Sequence, residues 1–222
     1  MQSVLARGAR RPRNKFGSAL DLFAAGVAQI HTRPGRELNT LSAFEIERSR
    51  AGLVLDLERF SAASAITELV LRFGSDDSNP TLYDAVSAAL DAVSEAPGAS
   101  ARDAGLAGAW HLVAELGFAP TLDLCSSCHA PLLPDEPARF SHRGGGVVCP
   151  RCAPMVGGSR TLPTEARDAL RQWIAGAPAA LAGDADRKAH QRLLREFLQE
   201  HISDGRELTA YAAWERGGWR PR

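Results

Sequence analysis

All four cysteines of the chain fall into two pairs of equal spacing, Cys125 with Cys128 and Cys149 with Cys152, separated by 20 residues. A tight C-x-x-C turn aims two thiolates at one point, and a second turn completes a tetrahedron of sulfur. Four sulfur ligands suit one Zn²⁺ ion and leave no position open for water or substrate, which is the chemistry of a structural ion. An iron–sulfur cluster uses the same donors and stays open as a second reading. A disulfide framework needs an oxidising compartment, and the sequence shows no secretory signal. A thioredoxin-like site uses one such motif at the start of a helix, not two. A zinc deaminase requires H-x-E upstream and P-C-x-x-C downstream. Here Val148 precedes Cys149, and no H-x-E occurs. His129 and His142 lie near the knuckles, but four cysteines already complete the coordination.

No other motif promises bond chemistry. The chain contains no G-x-x-x-x-G-K-[ST], G-x-S-x-G, H-E-x-x-H or G-x-G-x-x-G. Gly144, Gly145 and Gly146 stand inside the cysteine insert, not before a helix where they could cradle a phosphate. The short acidic clusters Asp76–Asp77 and Asp184/Asp186 read as helix caps or solvated groups. The expectation is a protein that is not an enzyme.

Charge is zero overall but unevenly placed. Residues 1–36 carry seven basic side chains (Arg7, Arg10, Arg11, Arg13, Lys15, Arg33 and Arg36) against Asp21 alone, so the first 36 residues stand at +6 and the rest at −6. Lys15 and Lys188 are the only lysines. Arginine gives planar, bidentate contacts to phosphate, and the local asymmetry points to nucleic acid where the whole-chain balance does not. Hydrophobic content of 45% and charged content of 23% are those of an ordinary globular protein. No apolar run reaches the length of about 18 residues that a membrane helix needs. A reduced cytoplasm is the expected location.

The elements that must position these residues are legible in outline. Partly alternating runs at 19–23 and 26–31 read as strands, Pro34-Gly35 as a turn, and 37–41 as a short strand. Ser42 with Glu45 has the spacing of a capping box, so helix is expected from 42 onward. Leu53, Leu57, Phe60, Ala63, Ile66, Leu69 and Phe73 continue at helical spacing. Asn79-Pro80 reads as N-cap and first helical residue, followed by helices at about 102–116, 164–174 and 184–202. Within the insert, 138–141 and 147–148 read as strands around the glycines, closing a ribbon. On the last helix Lys188, Arg192 and Arg195 share one face within about 60°. Leu193, Leu194, Phe197 and Leu198 lie around the other.

These features together resemble the RecO family, the recombination mediators of bacterial DNA repair. The resemblance is carried by the basic run 6–17, by residues 37–41, and by residues 115–123 running into Cys125 and Cys128. Cys149, Cys152 and the final helical segment 192–202 complete it. It extends to about residue 210, and its ordered set of motifs is far more specific than a cysteine pair alone.

The resemblance implies an α+β fold: an incomplete N-terminal OB-fold β-barrel, then a mostly α-helical domain with an inserted four-cysteine zinc ribbon. The expected division is 1–41 for the partial barrel, 42–124 and 153–210 for the helical domain, 125–152 for the zinc finger, and 211–222 for a C-terminal tail. Family members begin with further strands upstream. This chain's barrel is therefore expected to lack strands and to show an unpaired edge with exposed apolar side chains, with a misassigned start codon as the expected cause. The resemblance further implies binding and annealing of single- and double-stranded DNA. It implies work with RecR, contact with the acidic tail of single-stranded DNA-binding protein, and loading of RecA. One structural Zn²⁺ would sit on Cys125, Cys128, Cys149 and Cys152. Arg7, Arg10, Arg11, Arg13 and Lys15 would lie along phosphates. Phe16 would either stack on a base or plug the barrel. Lys188, Arg192 and Arg195 would receive the acidic tail. The alternative is a zinc-ribbon interaction module, or transcription accessory factor, without DNA affinity of its own.

Overall fold

The computed structural model describes residues 4–7, 9, 16, 20–32, 38–98, 100–136, 138–202 and 206–217. Its N-terminal part is a three-stranded sheet of β1 (Val4–Leu5), β2 (Ala25–His31) and β3 (Asn39–Arg48). β3 is central, pairing in parallel with β1 and antiparallel with β2. The outer edge of β2 has no partner strand among the described residues, and Val27 and Ile30 on it are exposed.

β3 corrects one expectation. The chain does not turn helical at Ser42 but stays extended to Arg48, so the division expected at 41 falls inside a strand. The spacing of Ser42 and Glu45 fits a capping box, yet the Ser42 hydroxyl donates to the carbonyl of Gln29 on β2. Cross-strand pairing outcompetes a local cap here. The run 19–23 is not a strand in its described part, where residues 20–24 turn into β2.

A single 3₁₀ turn (Ala51–Leu55) leads into the helical body: α1 (Leu57–Phe73), α2 (Pro80–Glu95) and α3 (Ser100–Glu115). α1 starts where the Asp56 carboxylate accepts from the Arg59 amide, and α2 where Asn79 accepts from Leu82 with Pro80 in the first turn. α2 and α3 approach closely because α3 offers Gly108, where a Cβ would stand 2.7 Å from the Cβ of Ala89. Arg50 ties the sheet to this body. It is 4% exposed, and it donates to the Asp91 carboxylate (2.7 Å), the Phe23 carbonyl (2.8 Å) and the Ser87 hydroxyl (2.7 Å).

The ribbon follows as an antiparallel sheet of β4 (Ala138–Ser141), β5 (Gly146–Val148) and β6 (Arg160–Leu162), with β4 central. Then come α4 (Thr164–Ile174), α5 (Asp184–His201) and α6 (Thr209–Glu215). α6 was not expected from the sequence. Residues 211–215, assigned to a tail, are helical, and Tyr211, Ala213 and Trp214 are buried. α6 begins on the carboxylate of Glu68 from α1, which accepts the amides of Thr209 (2.9 Å), Ala210 (2.9 Å) and Tyr211 (3.0 Å). One core runs through body and ribbon together, with Trp110, Trp173, Trp214, Phe140 and Phe197 fully or almost fully buried.

Candidate metal centre and binding surfaces

The sulfurs of Cys125, Cys128, Cys149 and Cys152 all lie within 4.8 Å of one another, and none is in a disulfide. Cys128 and Cys149, one from each knuckle, stand 3.8 Å apart. A tetrahedron with metal–sulfur bonds of about 2.3 Å has edges of about 3.8 Å, so the spacing is compatible with one zinc ion. Each knuckle is a tight turn. In the first, the His129 amide donates to the Cys125 carbonyl at 2.8 Å; in the second, the Cys152 and Ala153 amides donate to the Cys149 carbonyl, both at 3.0 Å. His129 has a φ of 59° in the first turn, so it shapes the backbone rather than supplying a ligand.

The thiols are primed unequally. Burial pushes Cys125 up, but hydrogen bonds from the backbones of Cys149, Cys128 and Ser127 outweigh it and bring the thiol down to about 6. The Cys152 backbone lowers Cys149 against the effect of burial. Ser127 favours the Cys152 thiolate, yet the sulfurs of Cys149 and Cys128 together with burial push that thiol up to about 12. Four sulfurs this close cannot all ionise on their own. A divalent cation at their centre resolves the conflict, so the donor set fits a metal. The Arg151 guanidinium, beside Cys149 and then Cys128, adds positive charge against the thiolates.

Two devices hold the ribbon to the helical body. Gly146 lies at the crossing with residue 121: the Thr121 amide donates to the Gly145 carbonyl (2.9 Å) and the Val147 amide to the Thr121 carbonyl (2.8 Å). Any side chain on Gly146 would collide with the Thr121 backbone. The second device is Arg167 of α4, 0% exposed, which donates to the carbonyls of Leu122 (2.9 Å), Leu133 (2.8 Å) and Leu132 (3.2 Å) on both sides of the first knuckle. Sequence reasoning missed Arg167. An arginine on a helix reads as surface, and nothing local signals that loop carbonyls will surround it. His142 is no ligand either. Its Nε2 stands 3.0 Å from the Glu196 carboxylate of α5, at ion-pair distance but out of hydrogen-bond alignment.

Of the residues expected on DNA, Arg7 is exposed just after β1, whereas Arg10, Arg11, Arg13 and Lys15 lie outside the described residues. Phe16 is 6% exposed, so its ring offers no open face for a base to stack on. On α5 the three cations differ. Lys188 pairs with Asp184 (2.8 Å), and Arg195 with Glu215 (2.9 Å). Arg192 is exposed and forms no ion pair with a described residue. Leu194, Phe197 and Leu198 are core. Arg192 and the half-buried Leu193 border a groove of about 840 Å³ between α5, β6 and α4. Among the described residues no helix is long and apolar enough to cross a membrane.

The comparisons with known proteins cover both the sheet and the helical body as far as residue 208. The family model described as "Recombination protein O N terminal" matches residues 1–50, the sheet, and "Recombination protein O C terminal" matches residues 54–208, the helical body with its ribbon. A protein of Anaeromyxobacter dehalogenans (strain 2CP-C), named DNA repair protein RecO, is 37% identical over 94% of this chain and 82% of its own length. A protein of the same name from Anaeromyxobacter sp. (strain Fw109-5) is 34% identical over the same shares. One from Gloeobacter violaceus is 31% identical over 90% of this chain and 76% of its own length. With both domain models met in order and relatives named for DNA repair aligned along almost the whole length, the chain belongs to the RecO family of DNA repair proteins.

Proposed function

We propose that this protein is a mediator of DNA repair and homologous recombination. It binds and anneals DNA and, with RecR, helps load RecA onto single strands coated by single-stranded DNA-binding protein. The observation that carries the reading is the tandem match of both domain models onto a sheet and a ribbon-bearing helical body that Arg50 locks together. The work is binding, without bond chemistry. Arg7, Arg10, Arg11, Arg13 and Lys15 neutralise phosphates and release counterions, and two strands held on one neutralised surface can pair. One Zn²⁺ on Cys125, Cys128, Cys149 and Cys152 staples the ribbon and supplies folding energy there. The acidic tail of single-stranded DNA-binding protein meets the α5 side of the molecule, where Arg192 is the uncommitted cation. The protein works in the cytoplasm, at the nucleoid.

The test is anisotropy of a labelled single-stranded oligonucleotide across a salt series. Binding should weaken steeply with salt. Replacing Arg10, Arg11 and Arg13 with Ala should flatten the slope of log K against log salt by about 2, from about 0.7 per lost phosphate contact. An unchanged slope would remove the basic run from the DNA contact. The exposed ribbon side chains Leu133 (64%) and Met155 (75%) favour one second reading, a zinc-ribbon module for protein contacts. Absence of binding at low salt would select it.

A further inference from the structure

The outer face of the ribbon carries a cation that no carboxylate balances. Residues 137–164 hold four arginines and no Asp or Glu. Three of the four have partners. Arg160 pairs with Glu196 (3.1 Å), Arg143 stands 4.0 Å from Glu200, and Arg151 lies beside the sulfurs of Cys149 and Cys128. Arg139 of β4 is exposed and forms no ion pair with a described residue. Phe140, next to it on the strand, packs inward on Phe197 of α5, so Arg139 points to the opposite side of the sheet. There it lines a groove of about 490 Å³ with Thr161 of β6 and with Pro150 and Pro154 of the second knuckle.

The Arg139 guanidinium is fixed but not used up. Its Nε donates to the Ser159 hydroxyl (3.1 Å), one terminal nitrogen to the Thr161 hydroxyl (3.4 Å) and the other to the Ser159 carbonyl. All three acceptors are neutral, so the charge stays uncompensated. Of the five N–H groups two remain, one on each terminal nitrogen. That pair forms the fork that meets two oxygens of a phosphate. The other donors that hold nucleic-acid backbones stand beside it. The hydroxyls of Ser159 and Thr161 accept from Arg139 and keep their own protons to donate. The amides of Gly157 and Gly158 meet no acceptor among the described residues. Both glycines are exposed, and a Cβ on either would meet nothing within 4 Å, so the approach is open.

We propose that the outer face of the ribbon is a second DNA contact, with Arg139 on a phosphate of the sugar–phosphate backbone and the turn 157–159 beside it. The assignment rests on the reading that the protein binds DNA, and it adds to the N-terminal basic run a contact more than 100 residues further along the chain.

The experiment measures anisotropy of a fluorescein-labelled oligothymidylate across a salt series. It uses the full-length protein and its Arg139→Ala and Gly157→Asp variants, with melting curves and bound metal per chain beside it. Arg139→Ala should weaken binding about tenfold, the loss of one charge-assisted contact. It should also flatten the slope of log K against log salt by about 0.7. Gly157→Asp sets a carboxylate in open space two residues from Ser159, and it should weaken binding to a similar extent with Tm and metal content unchanged. An arginine that only holds the turn would lower Tm in Arg139→Ala and leave Gly157→Asp binding like the wild type, which would overturn the proposal. Both variants binding within about twofold of the wild type would overturn it as well and leave the basic run as the DNA contact. No oligonucleotide binding by the wild type would overturn the DNA reading and this inference with it. A polyglutamate peptide that binds the wild type as tightly as the oligonucleotide does, and is lost equally in both variants, would assign the face to acidic peptides and overturn the proposal.

Discussion

Replacing Arg167 with Met tests how the ribbon is held. The guanidinium is fully buried and forms no ion pair with a described carboxylate, and its three good hydrogen bonds all go to backbone carbonyls, those of Leu122, Leu132 and Leu133. Burial, then the neighbouring Arg171, hold its pKa below the ordinary arginine value, with Asp123 and Asp168 opposing. Each such bond to a charged donor contributes about 1.5–3 kcal/mol net, so three contribute about 5–9 kcal/mol. Methionine fills most of the space and removes a desolvated charge, which returns several kcal/mol. The balance is a loss of about 3 kcal/mol. It should be local, because the orphaned carbonyls flank Cys125 and Cys128. Urea unfolding reads the total. Amide exchange across 122–136 and the rate of metal loss to a chelator read the location. Arg167→Lys, which keeps the charge but loses the fork, should fall between. If Arg167→Met matched the wild type within about 0.5 kcal/mol, or lost stability with exchange at 122–136 unchanged, Arg167 would not be the clamp.

Two further outcomes follow from buried groups. His190 is held neutral by burial with a pKa of about 4 against an ordinary 6.5, so the unfolded chain takes up a proton as pH falls below 6.5 and the folded chain does not until about 4. The stability is therefore fully present above 6.5 and lost as pH drops towards 4. At about pH 5 the wild type should have lost about 2 kcal/mol relative to His190→Leu, with both referenced to neutral pH; parallel stability curves would show that the ring is not buried neutral. Cys149→Ser should bind less than one metal ion per chain and lose the ribbon's exchange protection, since metal-binding energy is folding energy there. Full metal content and an unchanged Tm in that variant would refute the four-sulfur site.

What the sequence disclosed tracks how local each determinant is. The knuckles, the Asn79-Pro80 start of α2, and the spans of α4 and α5 rest on contacts within a few residues, and they were readable. The strand β3 was misread from Ser42 because its pairing with β2 is a contact 13 residues away, from the Ser42 hydroxyl to Gln29. α6 escaped notice because its N-terminus is held by Glu68, 141 residues distant from Thr209. The α5 cations were visible as a face, but which of them were free was decided by Asp184 and Glu215, and the glutamate lies outside that helix. Arg167 and His190 were invisible as special residues for the same reason: loops and helices far along the chain bury them.

The metal site and the α5 groove are parts of one assembly. β6 pairs with β4, the central strand of the ribbon, and the same β6 supplies Arg160, Thr161 and Leu162 to the groove. Phe140 of β4 packs on Phe197 of α5 at 6.0 Å, and Phe197 packs on Trp110 of α3 at 5.4 Å. Glu196 pairs with Arg160 from β6 and lies 3.0 Å from the His142 ring of the ribbon's turn. A change in the ribbon therefore reaches α5 through packed rings and through a shared carboxylate, not through the cysteines themselves. In this chain the four sulfurs fix one wall of a groove whose other wall is α5.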